Sequence, residues 1–210
     1  MPKLSNIKLK VCGLRDNIPE VVALKPDFAG FIFYNKSPRY AGDTLLKDYF
    51  NDFPESTMKV GVFVNHPVER VLETARQFNL DFVQLHGDES FAECLHLKAN
   101  GLGVIKVFSG NKAIDRDRLI EYAEVVDYYL FDTRLKSYGG NGVAFDWAQL
   151  KGLDLPKPII LSGGLTLENI RQLEELDDLD IYAIDINSQF EIRPGMKNTE
   201  LIKQLKEQMQ

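Results

Sequence analysis

Eight short apolar runs, each followed by a longer amphipathic one, constrain the fold of this chain more than any single motif does. The strand-like runs fall at 7–12, 28–33, 58–64, 82–86, 104–108, 128–132, 158–162 and 182–186. Helix-like runs at 17–24, 43–53, 67–78, 90–97, 117–125, 145–150, 167–176 and 199–209 follow them in turn. Pro26 and Pro54 end two of these helices, Pro67 opens another, and Ser90 with Glu93 has the spacing of a capping box. Most strand runs are apolar on both faces, as parallel strands covered on both sides must be. Eight strand–helix units of roughly 25 residues give the period of an α/β fold, a single parallel eight-stranded (β/α)8 TIM barrel. One barrel domain over 1–210 is expected. A doubly wound open sheet is the alternative, and it requires one miscounted strand.

The first strand carries the most informative chemistry. Ile7, Leu9 and Val11 mark one face, and Lys8, Lys10 and Cys12 the other. Gly13 lets the backbone turn after the cysteine, so the thiol stands at the carboxyl end of its strand, where such folds keep their active sites. A strand-end cysteine also reads as a small buried hydrophobe. Lys10 weighs against that reading, because it lies one pleat away on the same face and an ammonium favours thiolate over thiol. Lys10 also reads as an ordinary partner of a strand-end carboxylate.

Asp132 ends the sixth strand and Asp185 the eighth. Either suits a cap or an ion pair. A desolvated Asp132 would instead deliver a proton near neutrality, and Asp185 would bind a substrate hydroxyl or pair with Lys10. Ser162-Gly163-Gly164-Leu165-Thr166 runs from strand to helix start, exposing backbone N–H groups to an anion, although paired glycines also serve plain turns. Gly139-Gly140-Asn141-Gly142 is a glycine-rich connection able to close over the same group. Arg39, in Ser37-Pro38-Arg39, suits a bidentate carboxylate contact. His86 shares the inward face with Gln84, and Cys94 reads as helix packing.

A net charge of -6 argues against nucleic acid as the main partner. The sequence has no apolar run of the ~20 residues a membrane span needs. Two cysteines and no apolar core after Met1-Pro2-Lys3 point to a reducing, cytoplasmic setting. The three histidines lack metal-ligand spacing, and neither a dinucleotide fingerprint nor a Walker loop is present.

Taken in order, Lys10-Val11-Cys12-Gly13, Gly30-Phe31-Ile32-Phe33 with Ser37-Pro38-Arg39-Tyr40, Val60-Gly61-Val62-Phe63-Val64-Asn65, Gln84-Leu85-His86-Gly87-Asp88-Glu89, Phe131-Asp132-Thr133, Gly139-Gly140-Asn141-Gly142 with Phe145-Asp146-Trp147, and Leu161-Ser162-Gly163-Gly164-Leu165 resemble phosphoribosylanthranilate isomerase. The resemblance runs from the first strand to the last helix. It implies a cofactor-free barrel of tryptophan biosynthesis that performs the Amadori rearrangement of N-(5-phosphoribosyl)anthranilate to 1-(2-carboxyphenylamino)-1-deoxyribulose 5-phosphate. By place in the family pattern, Asp132 is the acid and Cys12 the base. Arg39 holds the anthranilate carboxylate, His86 and Asp185 bind substrate, and Gly142, Gly163, Gly164 and Ser188 lie near the phosphate. The implied partners are a phosphorylated small molecule and other enzymes of the pathway.

The chain departs from the pattern after strand eight. The family usually has a glycine following paired small residues, whereas this chain reads Asn187-Ser188-Gln189-Phe190-Glu191, so the backbone phosphate contact at Gln189 is the feature in question. Glu191 and Pro194-Gly195-Met196-Lys197 resume the pattern. Competing readings are a ribulose-phosphate epimerase, which would want metal ligands on several strand ends, and indole-glycerol-phosphate synthase, which normally carries an extra amino-terminal helical segment. A third is a silent barrel that binds a phosphorylated metabolite without turning it over.

Overall fold

The computed structural model describes residues 4–42, 45, 50, 53–109, 115–132, 147–176 and 178–210. Its strands β1 (Lys8–Cys12), β2 (Phe28–Ile32), β3 (Met58–Phe63), β4 (Phe82–Leu85), β5 (Gly103–Ser109), β6 (Tyr128–Asp132), β7 (Ile159–Leu161) and β8 (Ile181–Ile186) follow one another in chain order. They pair in that same order, and the ring closes where β8 meets β1. Every pairing in the ring is parallel. The barrel is therefore closed, and the open-sheet alternative is excluded.

Side-chain alternation divides the core into two layers. Leu9, Val11, Phe31, Phe63, Val83, Val104, Tyr129, Phe131, Ile159 and Ile184 pack outward in the main cluster. The opposite parity fills the barrel interior: Phe28, Val60, Ile105, Leu130, Ile160 and Ala183, with Phe82, Tyr128 and Tyr182 packed against them. At the amino-terminal end the rings of Phe28, Phe82, Tyr128 and Tyr182 contact one another, with Tyr128 stacked on Tyr182 at 4.6 Å. This aromatic floor closes one end, so only the carboxyl end is left to hold a ligand.

Three aspartates standing just before even-numbered strands tie the floor together. Asp27 accepts from Leu9 N at 2.9 Å, Asp81 from Lys59 N at 2.7 Å and Asp127 from Val104 N at 2.8 Å. Each side chain thus satisfies a backbone donor of the preceding odd-numbered strand, a group that is costly to leave unpaired.

Around the ring lie α1 (Ile18–Val22), α2 (Val68–Gln77), α3 (Phe91–Ala99), α4 (Arg116–Tyr122) and α5 (Thr199–Gln208). The expected capping box forms at α3: Ser90 N donates to Glu93 Oε2 at 2.7 Å, and Glu93 N to Ser90 Oγ at 3.4 Å. Asn198 caps α5 by accepting from Glu200 N and Leu201 N. The expected helix over 167–176 is instead a 3₁₀ segment, Ile170–Glu175. Asn169 explains the late start, since it accepts from Thr166 N at 2.8 Å and donates to the Gly164 carbonyl at 2.8 Å, holding 164–169 as a turn. Trp147–Leu150 is also 3₁₀. Most of the 43–53 helix and the whole glycine-rich connection, Gly142 included, lie outside the described residues.

After β8 the chain makes a short 3₁₀ turn, Ser188–Phe190, and an antiparallel pair, β9 (Glu191–Arg193) and β10 (Met196–Lys197), before α5. The pair lies against the loop after β1, through Asp16 N to the Gly195 carbonyl at 2.9 Å and Asn17 Nδ2 to the Lys197 carbonyl at 2.9 Å. Sequence periodicity gave no sign of this hairpin.

Candidate active site

The carboxyl ends of the strands surround a cavity of about 510 Å³ lined by Cys12, Gln84, His86, Asp132, Ser162, Gly163, Gly164, Asp185, Asn187, Ser188 and Gln189, among others. Strand parity places the polar groups there. Lys10 and Cys12 follow Lys8 on the inward face of β1, Gln84 follows Phe82 on β4, Asp132 follows Leu130 on β6, and Asp185 follows Ala183 on β8.

Lys10 is fully buried and donates to Asp185 Oδ2 at 2.8 Å, across a register in which the two residues are directly paired. Burial works against its charge, but the Asp185 carboxylate and the Cys12 sulfur outweigh it, and its pKa is raised. Burial pushes the Asp185 carboxyl up, and Lys10 opposes the rise. Asp185 Oδ1 is buried with no hydrogen-bond partner among the described residues. One oxygen therefore serves the lysine and the other is left for a ligand hydroxyl, so the two roles expected of Asp185 are compatible.

The thiol differs from expectation. Lys10 does favour the thiolate, as does Lys197, but burial is the larger effect and the Cys12 pKa is raised above its ordinary value. Sequence spacing displayed the ammonium and hid the depth of the pocket. Room for the sulfur comes from Gly30, the residue paired with Cys12 on β2, where an added Cβ would lie 3.0 Å from Sγ. Cys94 is also buried, with its thiol pushed up to about 12 by burial, in keeping with a packing role.

His86 Nε2 lies 3.5 Å from Asp132 Oδ2, and Gln84 Nε2 stands 3.1 Å from His86 Nδ1. The loop bearing His86 is anchored from behind by Glu89. Its carboxylate accepts from Asn65 N at 2.8 Å, from Gly87 N at 2.9 Å and from the buried Lys106 Nζ at 2.9 Å. Neither Glu89 nor Lys106 was singled out in the sequence, although Glu89 belongs to the Gln84–Glu89 motif.

Arg39 is not among the residues lining the cavity. Its Nε and Nη2 donate to Glu191, with Nη2 2.8 Å from Oε2, and its stem crosses Gly13 so closely that a Cβ there would stand 2.8 Å from Arg39 Cδ. The positive φ of Gly13, 75°, places the turn after Cys12 in a conformation suited to glycine. Gly163 and Gly164, with φ of 85° and 72°, line the cavity together with Ser188 and Gln189 from the end of the neighbouring strand. The chain continues from them as a turn and then the 3₁₀ segment, so, among the described residues that follow, an anion there would be met by loop N–H groups. Gly142 lies outside the described residues.

The family model described as N-(5'phosphoribosyl)anthranilate (PRA) isomerase matches residues 9–208. The chain belongs to that family. The N-(5'-phosphoribosyl)anthranilate isomerase of Parabacteroides distasonis is 41% identical over 204 residues, covering 96% of this chain and 92% of its own length. The crystal structure of phosphoribosyl anthranilate isomerase from Thermotoga maritima superposes with a TM-score of 0.84 at 29% identity, over 97% of this chain and 98% of that one. A phosphoribosyl anthranilate isomerase crystallised with reduced 1-(o-carboxyphenylamino)-1-deoxyribulose 5-phosphate superposes with a TM-score of 0.78 at 28% identity, with the same coverage. Membership of the phosphoribosylanthranilate isomerases separates this barrel from the epimerase and synthase readings.

Proposed function

We propose that the protein performs the tryptophan-pathway rearrangement for which its family is named, with Asp132 as acid and Cys12 as base. The observation that supports this most directly is that both groups, from strands three places apart around the ring, line one cavity. Asp132 delivers its proton to the furanose ring oxygen as the C1'–O bond breaks, and the anthranilate nitrogen lone pair forms the C=N bond of an iminium. Cys12 then takes the C2' proton, its electrons pass to the iminium, and an enolamine results. Tautomerisation gives the ketone. The raised thiol pKa makes the thiolate scarce but a stronger base once formed, and Lys10 offsets part of the cost of ionising it.

The remaining assignments follow the chemistry of the ligand. Asp185 Oδ1 receives a sugar hydroxyl, His86 stands beside Asp132 against the ribose, and Gly163, Gly164 and Ser188 take the phosphate. Gly142 is assigned to the same phosphate by its place in the family pattern. Arg39 turns to the anthranilate carboxylate. In this reading residues 1–210 form one catalytic domain in a reducing, cytoplasmic setting, to which two free thiols are suited. A phosphorylated small molecule is its partner, and neighbouring tryptophan-pathway enzymes are candidate associates.

The test is turnover of phosphoribosylanthranilate generated in situ, followed by loss of its fluorescence, for the wild type and Asp132→Asn. Rapid wild-type turnover that falls at least about 100-fold in the variant, the usual scale of general acid catalysis, is expected. A folded wild type that binds the product analogue without turnover would identify a silent binding barrel.

A further inference from the structure

The hairpin after β8 places two cations on one buried carboxylate just behind the cavity wall. Glu191 is 3% exposed and accepts from Arg39 Nε at 3.0 Å, from Arg39 Nη2 at 2.8 Å and from Lys197 Nζ at 2.8 Å. Lys197 is fully buried and donates also to Asn187 Oδ1 at 2.8 Å, and Asn187 lines the cavity. The hairpin is held in place by Arg15, which bridges the Pro38 and Pro194 carbonyls at 2.8 and 2.9 Å, joining the Arg39 loop to the hairpin turn.

Buried charges are normally balanced, because an uncompensated one is costly to desolvate. Here a single carboxylate serves two cations: burial lowers the Lys197 pKa, Glu191 works to keep it charged, and with Arg39 on the same carboxylate one positive charge is left over. Arg39 spends its Nε and Nη2 edge on Glu191, while Nη1 has no hydrogen-bond partner among the described residues. A planar guanidinium locked along one edge has a defined direction for its remaining donors. The arrangement calls for an anion from the ligand.

We propose that Glu191 and Lys197 are positioning residues for the carboxylate end of the substrate: Glu191 fixes the Arg39 guanidinium, and Lys197 shares that carboxylate so that one positive charge is left for the ligand. This rests on the assignment of Arg39 to the anthranilate carboxylate and extends it to a hairpin that contributes no group to proton transfer. The role is electrostatic and orientational, so it acts on ligands that carry the carboxylate and on no others.

The experiment measures calorimetric affinities of two stable ligands, reduced 1-(o-carboxyphenylamino)-1-deoxyribulose 5-phosphate and its counterpart made from aniline, which lacks the carboxylate. The wild type is compared with Arg39→Ala, Glu191→Gln, Lys197→Met and the Arg39→Ala/Lys197→Met double variant. Arg39→Ala is expected to weaken the carboxylated ligand at least tenfold and the other less than twofold. Glu191→Gln and Lys197→Met are expected to weaken the carboxylated ligand three- to tenfold and leave the other unchanged. In the double variant the lysine substitution is expected to add little to the loss of the carboxylated ligand; the test is read in affinities rather than in turnover because Lys197 also favours the Cys12 thiolate. Lys197→Met keeps side-chain volume and leaves Glu191 paired with Arg39, so it carries the test if Glu191→Gln does not fold. Equal losses for both ligands in Lys197→Met, with Arg39→Ala still selective, would overturn the proposal and leave the Arg39 assignment standing. Equal losses in Arg39→Ala would remove that assignment and the proposal with it.

Discussion

Replacing Lys10 by Met tests whether the barrel interior is organised around an ion pair. Nζ stands 2.8 Å from Asp185 Oδ2, and both side chains are almost wholly removed from water. At an effective dielectric constant near 20 the attraction is roughly 6 kcal/mol, which desolvation of two ions largely cancels. The pair as a whole is therefore worth little, but half of it is costly to keep. Lys10→Met preserves volume and strands a buried carboxylate, a loss of about 3–5 kcal/mol. With a urea m-value of about 3 kcal/mol/M, the unfolding midpoint falls by about 1 to 1.7 M. Removing both charges in Lys10→Met/Asp185→Asn leaves a neutral amide short of partners, costing about 1–3 kcal/mol. The coupling between the two sites is then about 3 kcal/mol or more. The pH dependence follows from the same argument. Without the ammonium, the Asp185 carboxyl rises further above its ordinary 3.8, a rise that burial already drives in the wild type. The penalty is then full above the folded pKa and fades as acid protonates the group, so the variant loses more stability at pH 8 than at pH 5. A midpoint shift below about 0.3 M, far under that expected for an uncompensated buried charge, or a loss independent of pH, would refute the reasoning.

Three further outcomes are expected. Cys12→Ser should lower kcat/KM by at least about 100-fold with little change in melting temperature, since the hydroxyl is a far weaker base in nearly the same space; a loss under tenfold would make Cys12 a packing residue. Glu191 is held below its ordinary 4.5, because Arg39 and Lys197 outweigh the effect of its burial. The stability it contributes is complete above pH 4.5 and is lost as pH falls through the lower folded value, so acid titration of unfolding should show a steeper decline below pH 4.5 for the wild type than for Glu191→Gln. Asp127→Ala removes the acceptor for Val104 N at the floor of the barrel and should cost about 1–3 kcal/mol of stability while leaving kcat/KM within twofold, as measured by urea titration and steady-state kinetics.

The eight strands were legible because each is short and bounded by turn residues, because most are apolar on both faces, and because a closed parallel ring accepts few other patterns. That Cys12, Asp132, Asp185 and the Gly163-Gly164 pair line one cavity was legible for a related reason: they stand at strand ends, which in a closed parallel ring meet on one side, and strand ends can be counted. One feature of the sequence has its meaning only in the folded barrel. Asp27-Phe28, Asp81-Phe82 and Asp127-Tyr128 repeat an acid followed by an aromatic at the start of alternate strands, and they build the capped floor. Local patterns could not show how deeply a group is buried, so the Cys12 thiol was expected to fall and instead rises. The helix after β7 failed as a prediction because the Asn169 side chain competes with helical hydrogen bonding and holds a turn in its first residues.

The Arg39–Glu191 contact spans 152 residues, and the Lys10–Asp185 contact spans 175. Barrel closure decided which of these pairs could be foreseen. Lys10 and Asp185 occupy regular strands whose register brings them face to face, so their pairing followed from strand order and parity. Arg39 and Glu191 sit on a loop and on a hairpin outside the ring, where neither periodicity nor register applies. The groups proposed to move protons lie on strands and can thus be read from their spacing, whereas the residues proposed to aim the substrate are added by the loops. Any change that keeps the strands and alters the hairpin should accordingly shift ligand preference before it shifts the chemistry, and the paired affinities for ligands with and without the carboxylate are the direct measure of that separation.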